Sequence, residues 1–500
     1  MEESPAERVR RAEQLAAAGR WAEVATTLEP VIEASRSAGL WSLLAMARLN
    51  SGRPGDAADA LLRAAALDAE GGRAWLNAAA VLDGVGRVGE AGEAARRAIA
   101  LGFAPPEAHL LLGRALQGSG DLAGAQAAFE RAVAARPTFV EAHRDLAQLI
   151  WMRTGDREEA TRLLDTAIAA HGSDVGLRAE RARLLNFAGD EAESRAEAAR
   201  LLDRMAPGAS RSLFAAHEAN LRGDHAAAVR AAQEALSLGA DPGQALEALA
   251  AAQLGSGDAP GVLETAEALA KRAPRNQLAI AYRATALRML DDPRGEPFRD
   301  YATLVRAFDI DVPDGWDNLD SYLGDLAAAL IPMHPFAAHP LGQSARRGSQ
   351  TMQSLVESSD PAIRAFFRAV DGPIRRYLAE LGTGDDPLRS RNRGAYDLRG
   401  CWSVWLKPGG FHVDHVHPQG WISSACYIAT PAAAEDADGK QGWIRFGQPP
   451  IQPPAGLPAE HFVQPRPGRL VLFPAWMWHG TVPFASDERR LSVAFDVLPA

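Results

Sequence analysis

Cysteine is nearly absent: only Cys401 and Cys426 occur in 500 residues. Neither stands in a C-x-x-C or other spaced metal motif, so thiolate metal binding is excluded and two reduced, buried thiols are expected inside strands. No run of Lys or Arg occurs and the net charge is −10. The clustered positive charge needed to grip a phosphate backbone is therefore missing, which excludes nucleic acid as a partner. No stretch reaches the roughly 18 consecutive apolar residues that cross a bilayer, and the start, Met1-Glu2-Glu3-Ser4-Pro5, lacks the apolar core of a signal peptide. A cytoplasmic chain without a membrane partner is expected. With 47% hydrophobic and 23% charged residues the composition is that of a globular chain, too long for one ordinary domain.

A repeat fills the first part of the chain. Gly19, Gly52, Gly86, Gly120, Gly155, Gly189, Gly223 and Gly257 each separate two Ala/Leu-rich amphipathic segments, at steps of 33, 34, 34, 35, 34, 34 and 34 residues. A period near 34 belongs to helix-turn-helix repeats in which the glycine takes the turn. Alanine lets neighbouring helices approach, and Leu, Val and Phe at three- and four-residue spacing fill the seam. The fourth unit, Leu112-Gly113-Arg114-Ala115 with Gly120-Asp121, Ala125, Phe129, Ala132 and Pro137, resembles the tetratricopeptide family most closely. A tetratricopeptide-like solenoid is expected over residues 1–308, with a degenerate ninth step near Asp291-Asp292-Pro293. Such arrays form extended surfaces that bind a protein or peptide. His109, His143, His171, His217 and His225 share no spacing within it and read as ordinary helix residues.

Near Asp309 the alanine pattern stops. Residues 309–395 read as a junction and buttressing helices, with a helix over 319–330, further helices over about 352–382, and a polar, loop-like segment between them. His339, Arg346 and Arg347 of that segment are candidates either for a substrate mouth or for a solvated loop.

From residue 396 to 500 the period becomes two, over 401–406, 411–417, 422–428, 443–446, 469–473 and 490–497, with a turn at Pro408-Gly409-Gly410. Short strands with Gly/Pro punctuation predict an antiparallel sandwich or barrel. In a strand over 411–417, His415 and His417 share one face while His412 and Asp414 share the other. Either pair suits iron, with a third ligand arriving from a distant strand; His479, in Trp476-Met477-Trp478-His479-Gly480, is the candidate. Arg490 and Ser492 share one face of the last strand, opposite apolar Leu491, Val493, Phe495 and Val497. A guanidinium inside a barrel needs an anion, either a bound carboxylate or a local acid such as Asp496 or Glu488. Trp405 and Tyr427 are candidates to flank that carboxylate, and Trp402 and Trp421 to wall the substrate side.

These parts, through Gln350-Thr351, His415-Val416-His417-Pro418, Trp421-Ile422-Ser423-Ser424-Ala425-Cys426-Tyr427, Pro467-Gly468-Arg469-Leu470-Val471-Leu472-Phe473-Pro474, His479 and Arg490-Leu491-Ser492, resemble the iron(II)- and 2-oxoglutarate-dependent oxygenases fused to tetratricopeptide arrays in bacteria. The resemblance covers about residues 330–500. It implies an α+β multidomain protein, the solenoid being followed by a double-stranded β-helix (jelly-roll, cupin-like) domain. It further implies iron(II) held by His415, His417 and His479, and 2-oxoglutarate anchored by Arg490 beside Ser492, Tyr427 and Trp405. With dioxygen, a hydroxylation yielding succinate and CO2 is implied, on a protein or peptide recruited by the repeats. The wider superfamily carries a carboxylate where His417 stands, so a register with His412 and Asp414 inward stays open. Two other readings compete: a three-His cupin dioxygenase that needs no 2-oxoglutarate, and a non-catalytic interaction module.

Overall fold

The computed structural model describes residues 3–68, 70–172, 174–352 and 354–500. Seventeen α-helices, among the described residues, run from Pro5–Ala17 to Gln277–Met289. The eight spaced glycines all fall between paired helices and have φ between 68° and 88°, the left-handed region that only glycine enters freely. The residue after the glycine has a role too. Asp121, Asp190, Asp224 and Asp258 cap the next helix by accepting a hydrogen bond from the amide three residues on. Arg20, Arg53 and Arg87 instead pair with the acid three residues on, Glu23, Asp56 and Glu90. At the ninth step Asp291 takes the turn conformation with φ 50°, and a short 3-10 segment, Pro293–Phe298, replaces the next helix.

By compactness the chain forms two units, 1–150 with 160–180 and 151–159 with 181–500. This division runs inside the repeat array, at a different place from the change of residue pattern near 308. In the first unit, small residues seat large ones. A Cβ on Gly113 would lie 2.4 Å from the Phe129 ring, and one on Gly92 2.3 Å from the Ala115 methyl.

The second unit contains all nine strands found among the described residues: β1 (Arg306–Asp309), β2 (Ala345–Gln350), β3 (Tyr396–His412), β4 (Ile422–Ala429), β5 (Ile444–Phe446), β6 (His461–Val463), β7 (Arg469–Pro474), β8 (His479–Thr481) and β9 (Arg490–Pro499). They make an antiparallel six-stranded sheet in the order β1-β7-β4-β9-β3-β2 and a three-stranded sheet in the order β6-β5-β8. A β-bridge between His415 and His479 links the end of β3 to β8. Helices Leu319–Leu330 and Pro361–Leu381 cover the outer face of the large sheet, with Phe366 edge-on to Phe495 at 6.0 Å.

The sequence expectations need three corrections here. The turn at Pro408-Gly409-Gly410 does not end a strand: β3 runs through it, and residues 407–410 bulge opposite Arg347, whose φ is 53°. The polar segment expected as a loop contains β2, because its small residues Ala345, Gly348 and Ser349 pack inward while its arginines do not. Strands β1, β6 and β8 are too short to carry a periodicity of two.

The last repeat helices share the core of the sheet. Ala250, Leu254, Val262, Ala266, Ile280 and Tyr282 belong to the same buried cluster as Phe446, Phe473, Trp476 and Trp478. Trp478 Nε1 donates to Thr285 Oγ1 at 2.9 Å, and the Arg288 guanidinium donates to the carbonyls of Gly447 and Pro458 at 2.7 and 2.8 Å.

Candidate metal and carboxylate site

Strand alternation stops at His412, where β3 ends. Beyond it the chain bends so that Asp414 turns away and is gripped bidentately by Arg445, Nη2 at 2.6 Å and Nε at 2.9 Å, with Gln448 Nε2 at 3.1 Å. Gly480 permits this: a Cβ there would sit 2.4 Å from Asp414 Oδ1. His412, His415 and His417 consequently all line one cavity, which a continuous strand would not allow. The open choice between the two pairs is thus resolved as neither strict register, since His412 faces inward together with His415 and His417 while Asp414 faces out.

His415, His417 and His479 converge. One ring nitrogen from each lies within 4.8 Å of the other two, and ring centroids are 4.2 Å apart for His415 and His479 and 5.2 Å for each pair with His417. Each ring spends Nδ1–H on an acceptor: His415 on the Val413 carbonyl at 2.8 Å, His479 on the Met477 carbonyl at 2.9 Å, His417 on Asp496 Oδ1 at 2.7 Å. That bonding sets the tautomer and leaves the Nε2 lone pairs for a metal. Burial, then the neighbouring His417 ring, pushes the His415 pKa down to about 3, and burial does the same to His479, well below its ordinary value. Neutral rings with free lone pairs at neutral pH are what a divalent transition metal requires.

The same cavity is lined by Arg490 and Ser492 of β9. Arg490 is 2% exposed, and its Nε and Nη1 have no hydrogen-bond partner. Both local acids are engaged elsewhere: Asp496 with His417, and Glu488 with the Ala432 amide at 2.6 Å. The guanidinium rests on the Tyr427 ring, 4.7 Å from its centroid. A buried cation with unmet donors fits a bound carboxylate.

The remaining candidates divide. Trp402 lines the cavity and stacks on His417, centroids 6.1 Å apart. Tyr427 supports Arg490 without lining the cavity. Trp405 does not flank the carboxylate position: it lies on the opposite face of β3 from Trp402 and Val404, under the Arg489 guanidinium at 4.4 Å and against His334. Trp421 walls nothing either, being fully buried with Nε1 donating to the Leu388 carbonyl at 2.9 Å. His339, Arg346 and Arg347 are not at the cavity; their side chains bond to the carbonyls of Phe187, of Gln343 and Ala345, and of Pro408. Two residues contribute in roles other than those expected: His412 lines the cavity together with His415 and His417, and Asp496 pairs with His417 and not with Arg490. The signal for Asp496 was its place on the Arg490 face of β9, two and three alternations on from Ser492 and Arg490.

Two family models match parts of this chain. Residues 400–496 match "Putative 2OG-Fe(II) oxygenase". Residues 116–174 match "Tetratricopeptide repeat". The first match contains the whole three-histidine cluster and Arg490, and that oxygenase family implies iron(II) and 2-oxoglutarate as cofactor and cosubstrate. Among solved structures the chain is similar to a tetratricopeptide repeat protein from Parabacteroides merdae (16% identity, TM-score 0.37, covering 50% of this chain and 98% of that one). It is also similar to MamA from Desulfovibrio magneticus (20% identity, TM-score 0.30, 35% and 98%). A third likeness is to a Pseudomonas putida prolyl-4-hydroxylase (18% identity, TM-score 0.27, 40% and 96%). No curated protein matches the chain.

Proposed function

We propose that this chain is an iron(II)- and 2-oxoglutarate-dependent oxygenase that hydroxylates a polypeptide recruited by its repeat array, releasing succinate and CO2. Iron is assigned to Nε2 of His415, His417 and His479, and the far carboxylate of 2-oxoglutarate to Arg490 assisted by Ser492. When bound, iron, 2-oxoglutarate and dioxygen supply the oxidising power that inserts an oxygen atom into a C–H bond. The chain's own residues bind, orient and exclude water, and no general base or nucleophile is needed. Trp402 and His412 wall the space beside the metal, and the Val413 and Met477 carbonyls hold two of the rings.

The single observation that carries the reading is the meeting, in one cavity, of three imidazoles with converging ring nitrogens and a buried guanidinium with unmet donors. In a three-His dioxygenase that needs no 2-oxoglutarate, that arginine would instead hold an anionic group of the substrate itself. The test is anaerobic reconstitution of the full chain with Fe(II), followed by succinate release on adding 2-oxoglutarate and air. One equivalent of iron and slow succinate formation, both abolished in His479→Ala, are expected. A chain that takes up no iron, or consumes dioxygen without 2-oxoglutarate, refutes the reading.

A further inference from the structure

Resting on the assignment of His415, His417 and His479 as ligands, we infer that Asp496 is a positioning residue that supplies the site with the negative charge its three imidazoles lack. The three rings are held unequally. His415 and His479 each donate Nδ1–H to a backbone carbonyl two residues earlier in the chain, a neutral and local acceptor. His417 alone donates to a side-chain carboxylate, Asp496 Oδ1 at 2.7 Å, across 79 residues of sequence. His417 also stands where a metal-binding carboxylate is usual in such triads, the more common set being two histidines and one acid. Asp496 lies directly behind that position, so the charge absent from the ligand set is present one hydrogen bond away.

The fold builds this contact on β9, which lies between β4 and β3. Asp496 is on β9, on the same face as Arg490, Ser492 and Ala494, and its Cα partners are Ser423 of β4 and Arg399 of β3. The Ser423 hydroxyl lies 3.1 Å from His417 Nδ1 and so closes the other side of the same contact. The Asp496 and His417 side chains are only 18% and 14% exposed, so water does little to screen the pair. The Arg399 side chain is exposed and makes no ion pair with Asp496, leaving His417 as the partner of the carboxylate among the described residues. A carboxylate accepting the Nδ1–H of a ligating histidine raises the basicity of Nε2, and losing such a partner typically weakens metal affinity about 10- to 100-fold. One face of a single strand therefore carries both electrostatic parts of the site, the cation for the cosubstrate and the anion for the metal.

The test compares the full chain with Asp496→Asn, which keeps an acceptor oxygen at the same place and removes the charge. Co(II), added alone as the probe, is titrated by its visible absorption, and the Fe(III)/Fe(II) midpoint potential is measured without 2-oxoglutarate. Co(II) affinity at least tenfold weaker in Asp496→Asn, with a more positive iron potential and unchanged circular dichroism, is expected. Wild-type affinity and potential in Asp496→Asn overturn the inference, since Asp496 then serves only as a neutral hydrogen-bond acceptor. Should Asp496→Asn not fold, Asp496→Glu and Asp496→Gln, equal in size and different in charge, make the same comparison; equal affinities overturn the inference and tighter binding by Glu supports it. A wild-type chain that binds no Co(II) instead sinks the three-histidine assignment itself, a result distinct from any difference between variants.

Discussion

Arg490 holds a full charge where, among the described residues, no acid answers it and only the Tyr427 ring lies against it. Without a ligand this guanidinium is a cost to the fold, because a buried cation with unmet donors has lost its water and gained no partner. Arg490→Met is therefore expected to raise the melting temperature of the ligand-free chain while abolishing the stabilisation that 2-oxoglutarate or succinate gives the wild type, measured by thermal shift. Removing one member of a buried, hydrogen-bonded charge pair costs about 2–5 kcal/mol, so 2-oxoglutarate affinity should fall by about 30-fold or more, with Co(II) binding retained. The buried imidazoles make a second prediction. His415 is held down to about 3, and His412 and His479 well below their ordinary value, all by burial first. In the unfolded chain such rings titrate near 6.5. Above that pH both states leave them neutral; below it the unfolded state binds protons that the folded state refuses. Stability of the metal-free chain should thus fall as pH drops from about 6.5 towards about 3, by up to about 1.4 kcal/mol per pH unit for each ring. Denaturant melts at pH 7.5 and pH 5.0 check this, and equal stabilities would contradict the burial of these three rings.

At the scale of the element, the repeats depend on a few close contacts. Phe129, fully buried, lies against Gly113, where no Cβ fits. Phe129→Ala should cost about 3–5 kcal/mol, and Gly113→Val should destabilise by forcing the ring aside, both read from the urea midpoint. Such elements were legible in the sequence because their signals are local. Turn glycines recur at a fixed step, the helix over 319–330 shows its own amphipathic period, and β9 alternates cleanly from Arg490 to Val497. Elements whose form depends on distant partners were not legible. β2 is a strand because β3 offers it an edge, and β8 has three residues and pairs only across space. The break in alternation after His412 depends on Arg445 and Gln448 drawing Asp414 outward, and both come from beyond β4. A periodicity of two, applied across that break, puts His412 on the wrong side. Trp405, a candidate to flank the carboxylate, lies on the face of β3 opposite Trp402 and Val404.

For the molecule as a whole, the change in residue pattern near 308 and the limits of compactness do not coincide. A fragment of residues 309–500 should be insoluble or molten, since part of its core belongs to helices before 290; a fragment of residues 151–500 should fold and bind Co(II) with near full-length affinity. Expression of both, with circular dichroism and a Co(II) titration, decides it, and a well-folded, metal-competent 309–500 fragment would count against a shared core. The helix Gln277–Met289 places Thr285 under Trp478, one residue before His479, and Tyr282 edge-on to the same indole at 5.8 Å. Anyone wishing to graft the strand domain onto a foreign recognition module would have to carry that helix along as part of the chassis. Cutting at the visible seam would discard the anvil on which the loop that carries His479 is forged.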